Sequence, residues 1–254
     1  MKCWVNLSFC LLSLFQSSFG FLTYLNTPPK RRVQVYQPYH LPKNETNCVI
    51  FFGGGSNSIS HRIYDSFLSS LQNQNVAVYM PCFKYQYMTT LVRILHRQHK
   101  SVVMMGHSSG CNTLLNHCNQ KGIHKIIMMD PVKTSLFRIF YLFCIRSILI
   151  LQAMKSYRVS YNPFGLPFIP SFLKMDGSHL KVQNDCVLHQ YNMTEYGHSD
   201  ILNQEMSNAM HFTRITVGHE NRSYDHLKKY HDKLSHIVAT FIHAEKRDYP
   251  TSLQ

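Results

Sequence analysis

Acidic residues are scarce in this chain. Its 254 residues carry 13 Asp and Glu against 26 Lys and Arg, a formal net charge of +13. Such an excess favours approach to anionic surfaces. The basic residues are spread along the chain, however, with Lys30-Arg31-Arg32 the one compact run, and no nucleic-acid-binding motif accompanies them. The charge reads as a compositional bias, and nucleic acid is not an expected partner. Metal-site spacing is missing too, since no two cysteines stand at a distance typical of a zinc site. A glycine run at Gly53-Gly54-Gly55 has no Gly-Lys-Ser/Thr ending, which excludes a nucleotide-phosphate loop. No metal and no cofactor is expected. There is no internal repeat and no sign of a second domain. An unbroken membrane span is lacking as well: "SLFRIFYLFCIRSILILQAM" has the length, but Arg138 and Arg146 interrupt it, each costing about 2.5–3.5 kcal/mol at a bilayer centre.

What is present begins with a leader. Lys2 precedes the apolar "CWVNLSFCLLSLF" and the small residues "SSFG", the pattern of a secretory signal with Ser18 and Gly20 at the −3 and −1 positions of a cleavage site. Residues 1–20 are therefore expected to be a targeting peptide, and 21–254 a single domain. The following "LTYLNTPPKRR", basic and free of acids, is similar to the second part of plastid-targeting leaders in algae with complex plastids. An uncleaved leader acting as an anchor is the other reading. Removal of the leader leaves Cys48, Cys82, Cys111, Cys118, Cys144 and Cys186, among which sequence cannot choose a pairing. Asn44, Asn192 and Asn221 stand in sequons and would accept glycans on a secretory route. The hydrophobic share of 44% is ordinary for a soluble globular domain of this length.

The order of patterns predicts an α/β fold. "VQVY" opens as a strand, and "NCVIFF" is a short apolar run of the kind buried on both faces. "HRIYDSFLSSLQNQN" places Ile63, Phe67 and Leu71 on one helical face. "VAVYMP" (strand), "YMTTLVRILHRQ" (helix), "SVVMM" (strand), "SGCNTLLNHCNQKG" (helix ended by Gly122) and "HKIIMMDP" (strand) follow. Strands alternating with helices mean a mostly parallel sheet covered on both faces. Its strand carboxyl ends then share one edge, where ligands bind. Past Asp130, segment 134–165 is expected to form a helical excursion capping that edge, with a buried core helix or a membrane-inserting segment as alternatives. "DCVLHQYN" is a further strand, "MTEYGHSDILN" a loop, and "YDHLKKYHDKLSHIVATFIHAEK" a closing amphipathic helix with Leu227, Tyr230, Leu234, Ile237, Phe241 and Ile242 on one stripe.

The chemistry centres on "MMGHSSGCN". Gly106-His107-Ser108-Ser109-Gly110 lies between a strand and a helix, where Gly-x-Ser-x-Gly forms a strained turn that exposes a nucleophilic serine. An activated serine needs a base, and the base an orienting acid. His198, after the last strand and before the closing helix, is the candidate base, and His219 the competitor. His107, inside the turn, is expected to pack or to tune the pocket. The acid is Asp130, at the end of "KIIMM", or Asp176 in "KMDGSH", with Asp185 less favoured. The backbone N–H of Ser109 and one from Gly54 or Gly55 would form the oxyanion site.

These residues resemble the α/β-hydrolase superfamily. "GHSSG", "IIMMDPV" and "YGHSDIL" are similar to the chlorophyllase branch and its dienelactone-hydrolase and platelet-activating-factor-acetylhydrolase neighbours. That resemblance implies Ser108 as nucleophile, Asp130 rather than Asp176 as acid, and His198 as base. The chain departs from the pattern where "FFGGGS" replaces the usual His-Gly after the oxyanion strand, and where segment 135–153 is unusually apolar. The expected activity is hydrolysis of a hydrophobic carboxylic ester, lipid-like or chlorophyll-like, through an acyl-enzyme, with peripheral contact to a lipid surface. The rival class is a non-catalytic lipid- or membrane-binding protein on the same fold.

Overall fold

Runs of apolar residues too short for helices build the core of the fold, and their alternation decides which side chains go to which face. The computed structural model describes residues 33–38, 43–57, 60–81, 87–132, 139–155, 158–160, 171–173, 175, 177–183, 185–212, 216–217 and 223–244. The main sheet holds β1 (Val33–Tyr36), β2 (Asn47–Phe52), β3 (Val76–Pro81), β4 (Ser101–His107), β5 (Lys125–Met129), β7 (Ser147–Ala153) and β11 (Val187–Met193), in the order β1-β3-β2-β4-β5-β7-β11. β1 runs antiparallel at one edge, and every other pairing in this sheet is parallel. Two small sheets accompany it: β6 (Phe140–Leu142) with β10 (Leu180–Val182), and β8 (Arg158–Ser160) between β9 (Ser171–Leu173) and β12 (Thr216–Val217).

Helices cover both faces. Val49, Phe51, Val78, Met105, Ile127 and Leu149 point to one side, against α1 (Asp65–Asn73) and the long closing helix α5 (Tyr224–His243). Their strand neighbours Ile50, Phe52, Met104, Met128 and Ile148 point to the other, against α2 (Met88–Gln98) and α3 (Gly110–His117). Each apolar strand thus buries both rows of its side chains, as parallel strands between helical layers do. The helix α4 (Gln204–Phe212) lies between β11 and α5 in the chain and was not expected from the sequence. The expected elbow helix is shorter than its pattern, ending at His117 rather than at Gly122. Among the described residues no helix is long and apolar enough to cross a membrane.

The apolar run after Asp130 corrects the expectation of a helical excursion over 134–165. Residues 139–155 contain β6 and β7, and β7 sits inside the main sheet between β5 and β11. Ile148 and Ile150 enter one core, Leu149 and Leu151 the other. A strand buried on both faces shows no polar alternation, so its periodicity is that of a buried helix as well. The remainder of 134–165, apart from 158–160, lies outside the described residues.

Candidate functional site

Register places the site. Phe52 pairs with Gly106, and His107 with Met129, so β2, β4 and β5 end side by side at their carboxyl edge. The next residues on the last two strands are Ser108 and Asp130. Ser108 N–H donates to the Met129 carbonyl at 3.0 Å, and Asp130 N–H to that of Leu151 at 2.6 Å. Both turn sharply, with φ of 56° at Ser108 and 42° at Asp130. A non-glycine residue in this left-handed region costs about 1–3 kcal/mol, which the surrounding packing must overcome.

The two glycines of the elbow explain how the turn closes. A Cβ on Gly110 would lie 2.3 Å from the carbonyl oxygens of both Phe52 and Gly53, and one on Gly106 would meet the backbone of Cys111 at 2.9 Å. Only residues without side chains let α3 start this close to the end of β2. Asn112 on α3 then ties the elbow to the segment after Asp130, donating through Nδ2 to the carbonyls of Val132, at 2.8 Å, and Ser109, at 3.3 Å.

His198 comes from the loop after β11. Its Nδ1–H donates to Asp130 Oδ2, and the Ser108 hydroxyl donates to its Nε2 at 2.9 Å. The other carboxylate oxygen of Asp130 accepts from the backbone N–H of Ala153 at 2.9 Å. Because a carboxylate only accepts, Nδ1 carries the proton and Nε2 is left to receive one. Ser108 is 7% exposed, Asp130 4% and His198 2%, so these polar contacts form away from bulk water, where electrostatic interactions are stronger.

The loop that carries His198 is held from several sides. Gly197 N–H donates to Asp200 Oδ2 at 2.7 Å, and Lys155 N–H to the Tyr196 carbonyl at 3.0 Å. His231 of α5 donates through Nε2 to the Asp200 carbonyl and accepts from Ser66 of α1, both at 2.8 Å. Burial holds the His231 imidazole below its ordinary value, which suits a neutral ring. Tyr196 stacks on Tyr230, with ring centroids 3.9 Å apart.

The structure brings Ser108, Asp130 and His198 together. Ser109 is buried at the start of α3, and Gly54 and Gly55 form a helical turn, Gly54–Asn57, directly beyond β2. Gly54 N–H donates to the Tyr64 hydroxyl at 2.8 Å. His107 is buried against His198, its Nδ1 on Tyr64 and its Nε2 on the His198 carbonyl. Asp185 sits in the turn before β11. Asp176 and His219, the competitors for acid and base, lie outside the described residues. Sequence reasoning missed Tyr64, Asn112, Asp200 and His231. Asp200 had a signal, since an Asp two residues after His198 can fold back on the loop's own backbone; the other three have none that local patterning can supply. Cys48, Cys111, Cys118, Cys144 and Cys186 are free thiols, and burial raises Cys118 to about 12. Of the sequons, Asn44 and Asn192 are exposed, and Asn221 lies outside the described residues.

A sheet in this order, with a strained serine after the central strand and a histidine loop after the last, is the α/β-hydrolase fold. No family model matches the chain, and no curated protein matches it in sequence. Solved structures that it resembles include the native Est2 esterase of Thermogutta terrifontis, at 11% identity and a TM-score of 0.45, covering 85% of this chain and 90% of that one. The esterase domain of a Rhodothermus marinus protein has 9% identity and a TM-score of 0.43, covering 83% and 98%. Est1E of Butyrivibrio proteoclasticus has 11% identity and a TM-score of 0.42, covering 81% and 92%.

Proposed function

We propose that the protein is a serine hydrolase of carboxylic esters, with Ser108 as nucleophile, His198 as base and Asp130 as orienting acid. The observation that carries this reading is the continuous contact Ser108 Oγ to His198 Nε2, with His198 Nδ1 on Asp130, at the carboxyl edge of the sheet. Ser108 Oγ attacks the ester carbonyl carbon while its proton passes to His198 Nε2. The imidazolium so formed is stabilised by Asp130. Collapse of the tetrahedral intermediate breaks the ester C–O bond, and His198 gives its proton to the leaving alcohol. A water molecule, deprotonated by His198, then attacks the acyl-enzyme; the acid leaves and Ser108 recovers its proton.

The N–H of Ser109 and that of Gly55 are the proposed oxyanion donors, with Gly54 anchoring the turn that carries Gly55 on Tyr64. Loss of one such donor costs roughly 10² to 10³ in rate. The finer reading is a hydrophobic ester, lipid-like or chlorophyll-like. Residues 147–153 of the run first expected to receive it belong to the sheet core, so the substrate's apolar part would meet other surfaces. Entry into the secretory pathway through residues 1–20 is the matching proposal for location, and amino-terminal sequencing of the mature protein tests it.

Ser108→Ala should abolish hydrolysis of a short p-nitrophenyl ester and labelling by a fluorophosphonate probe. Activity of Ser108→Ala at the wild-type level would overturn the mechanism, and wild-type protein that resists the probe would favour a binding protein on this fold. A panel of lipid, phytyl and short-chain esters then tests the finer reading, which fails if only the short chains are cleaved.

A further inference from the structure

Between the glycine turn after β2 and the loop of His198 runs a buried polar chain that takes no part in the proton transfers of the proposed reaction. Gly54 N–H donates to the Tyr64 hydroxyl at 2.8 Å. Tyr64 and His107 Nδ1 are 2.8 Å apart, and His107 Nε2 is 3.1 Å from the His198 carbonyl. The proton positions follow from the two ends. A backbone carbonyl only accepts, so His107 Nε2 carries a hydrogen; in the neutral ring Nδ1 then accepts, and Tyr64 O–H must donate to it. The Tyr64 oxygen is in turn the acceptor for Gly54. Each contact in the series thus has one donor and one acceptor, and its direction is set.

We propose that Tyr64 and His107 are positioning residues forming a strut that fixes the glycine turn after β2 to the carbonyl of His198, so that oxyanion donors and base are held as one unit. This rests on the serine-hydrolase reading of the same site. Three observations support it. Both ends of the strut are backbone groups of the two loops that the reaction must align. Its members are almost wholly buried, Tyr64 at 1% and His107 at 2% exposure, in a setting where apolar side chains would avoid the cost of desolvating a phenol and an imidazole. The rings are also fixed by packing: Tyr64 meets Phe51 edge-on at 5.0 Å, and His107 lies 4.9 Å from His198 at an interplanar angle of 31°. A peptide carbonyl held by a buried donor cannot rotate freely, and the side chain of the same residue shares that restraint.

The test uses Tyr64→Phe, His107→Leu and His107→Gln in the full chain, with Ser108→Ala in parallel. Tyr64→Phe and His107→Leu should lower kcat on a p-nitrophenyl ester by roughly 10- to 100-fold, the size expected when reacting groups are displaced by about 1 Å, with KM little changed. His107→Gln keeps a donor for the His198 carbonyl and should recover most of the loss, while its melting temperature matches that of His107→Leu. Should His107→Leu fail to fold, Tyr64→Phe carries the comparison. Wild-type kcat in Tyr64→Phe and His107→Leu, or equal loss in the Gln and Leu variants, overturns the strut while Ser108→Ala remains inactive. Activity surviving in Ser108→Ala instead overturns the reading on which the strut rests.

Discussion

Asp130 meets two demands at once: its carboxylate must reach His198, and its backbone must take a φ of 42°. Aspartate and asparagine are the non-glycine residues that enter this region most readily, so Asp130→Asn keeps the fold, removes the charge and turns one of the two acceptor oxygens into a donor NH2. The carboxamide can present its NH2 to Nδ1, which favours the wrong tautomer and leaves Nε2 unable to accept from Ser108. A loss of roughly 10⁴-fold in kcat is expected, with the melting temperature near wild type. Asp176→Asn, made beside it, should have a mild effect. Steady-state kinetics on the two variants decide the acid, and the reverse ranking would move it to Asp176.

At the level of elements, the base loop has to be as well placed as the strand ends it faces, although it belongs to no strand or helix. Asp200 achieves this by capping Gly197 within the loop while its carbonyl is taken by His231 of α5. Asp200→Ala should therefore lower kcat and slow fluorophosphonate labelling, whereas Asp200→Asn, which keeps an acceptor for Gly197, should retain most of both. Wild-type activity in Asp200→Ala would show that the cap is dispensable. The same scale explains what was legible in the sequence. The runs "NCVIFF", "VAVYMP" and "KIIMM" are short, apolar and bounded by turn residues, and they are strands. Ser108 and Asp130 could be placed because each directly follows such a run, and His198 because it comes after the last strand and before the closing helix. Segment 135–154 could not be divided, because two strands separated by a short turn preserve the apolar length of a helix. Tyr64 was invisible for another reason: it lies 43 residues before His107, and only the packing of α1's entry turn against β4 brings them together.

For the molecule as a whole, histidine burial among the described residues contributes to the response to acid. Burial is the main cause that holds His61, His96, His117, His189 and His231 below the ordinary value of 6.5. Below that value the unfolded chain binds protons that the native chain resists, so native stability is fully present above it and is lost as pH falls through the lowered values. The melting temperature should drop as pH falls below about 6.5. Calorimetry on Ser108→Ala, free of turnover, measures this directly, and a melting point that stays level or rises on acidification would contradict it. The opposite edge of the sheet has its own fastening. Lys125, at the start of β5, donates through Nζ to the carbonyls of Phe241, Ile242 and Ala244. A cation there satisfies the exposed acceptors of a helix end, and it joins the last turn of α5 to the strand whose far end bears Asp130.

The stack of Tyr196 on Tyr230 has a spectroscopic consequence. The chain's single tryptophan is Trp4, inside the segment read as a removable leader. A mature chain starting at Phe21 would have only tyrosine emission, so an indole introduced at position 196 would shine against a dark background. Seated on the Tyr230 ring and two residues from His198, it would report any displacement of that loop as a change in its own colour and brightness.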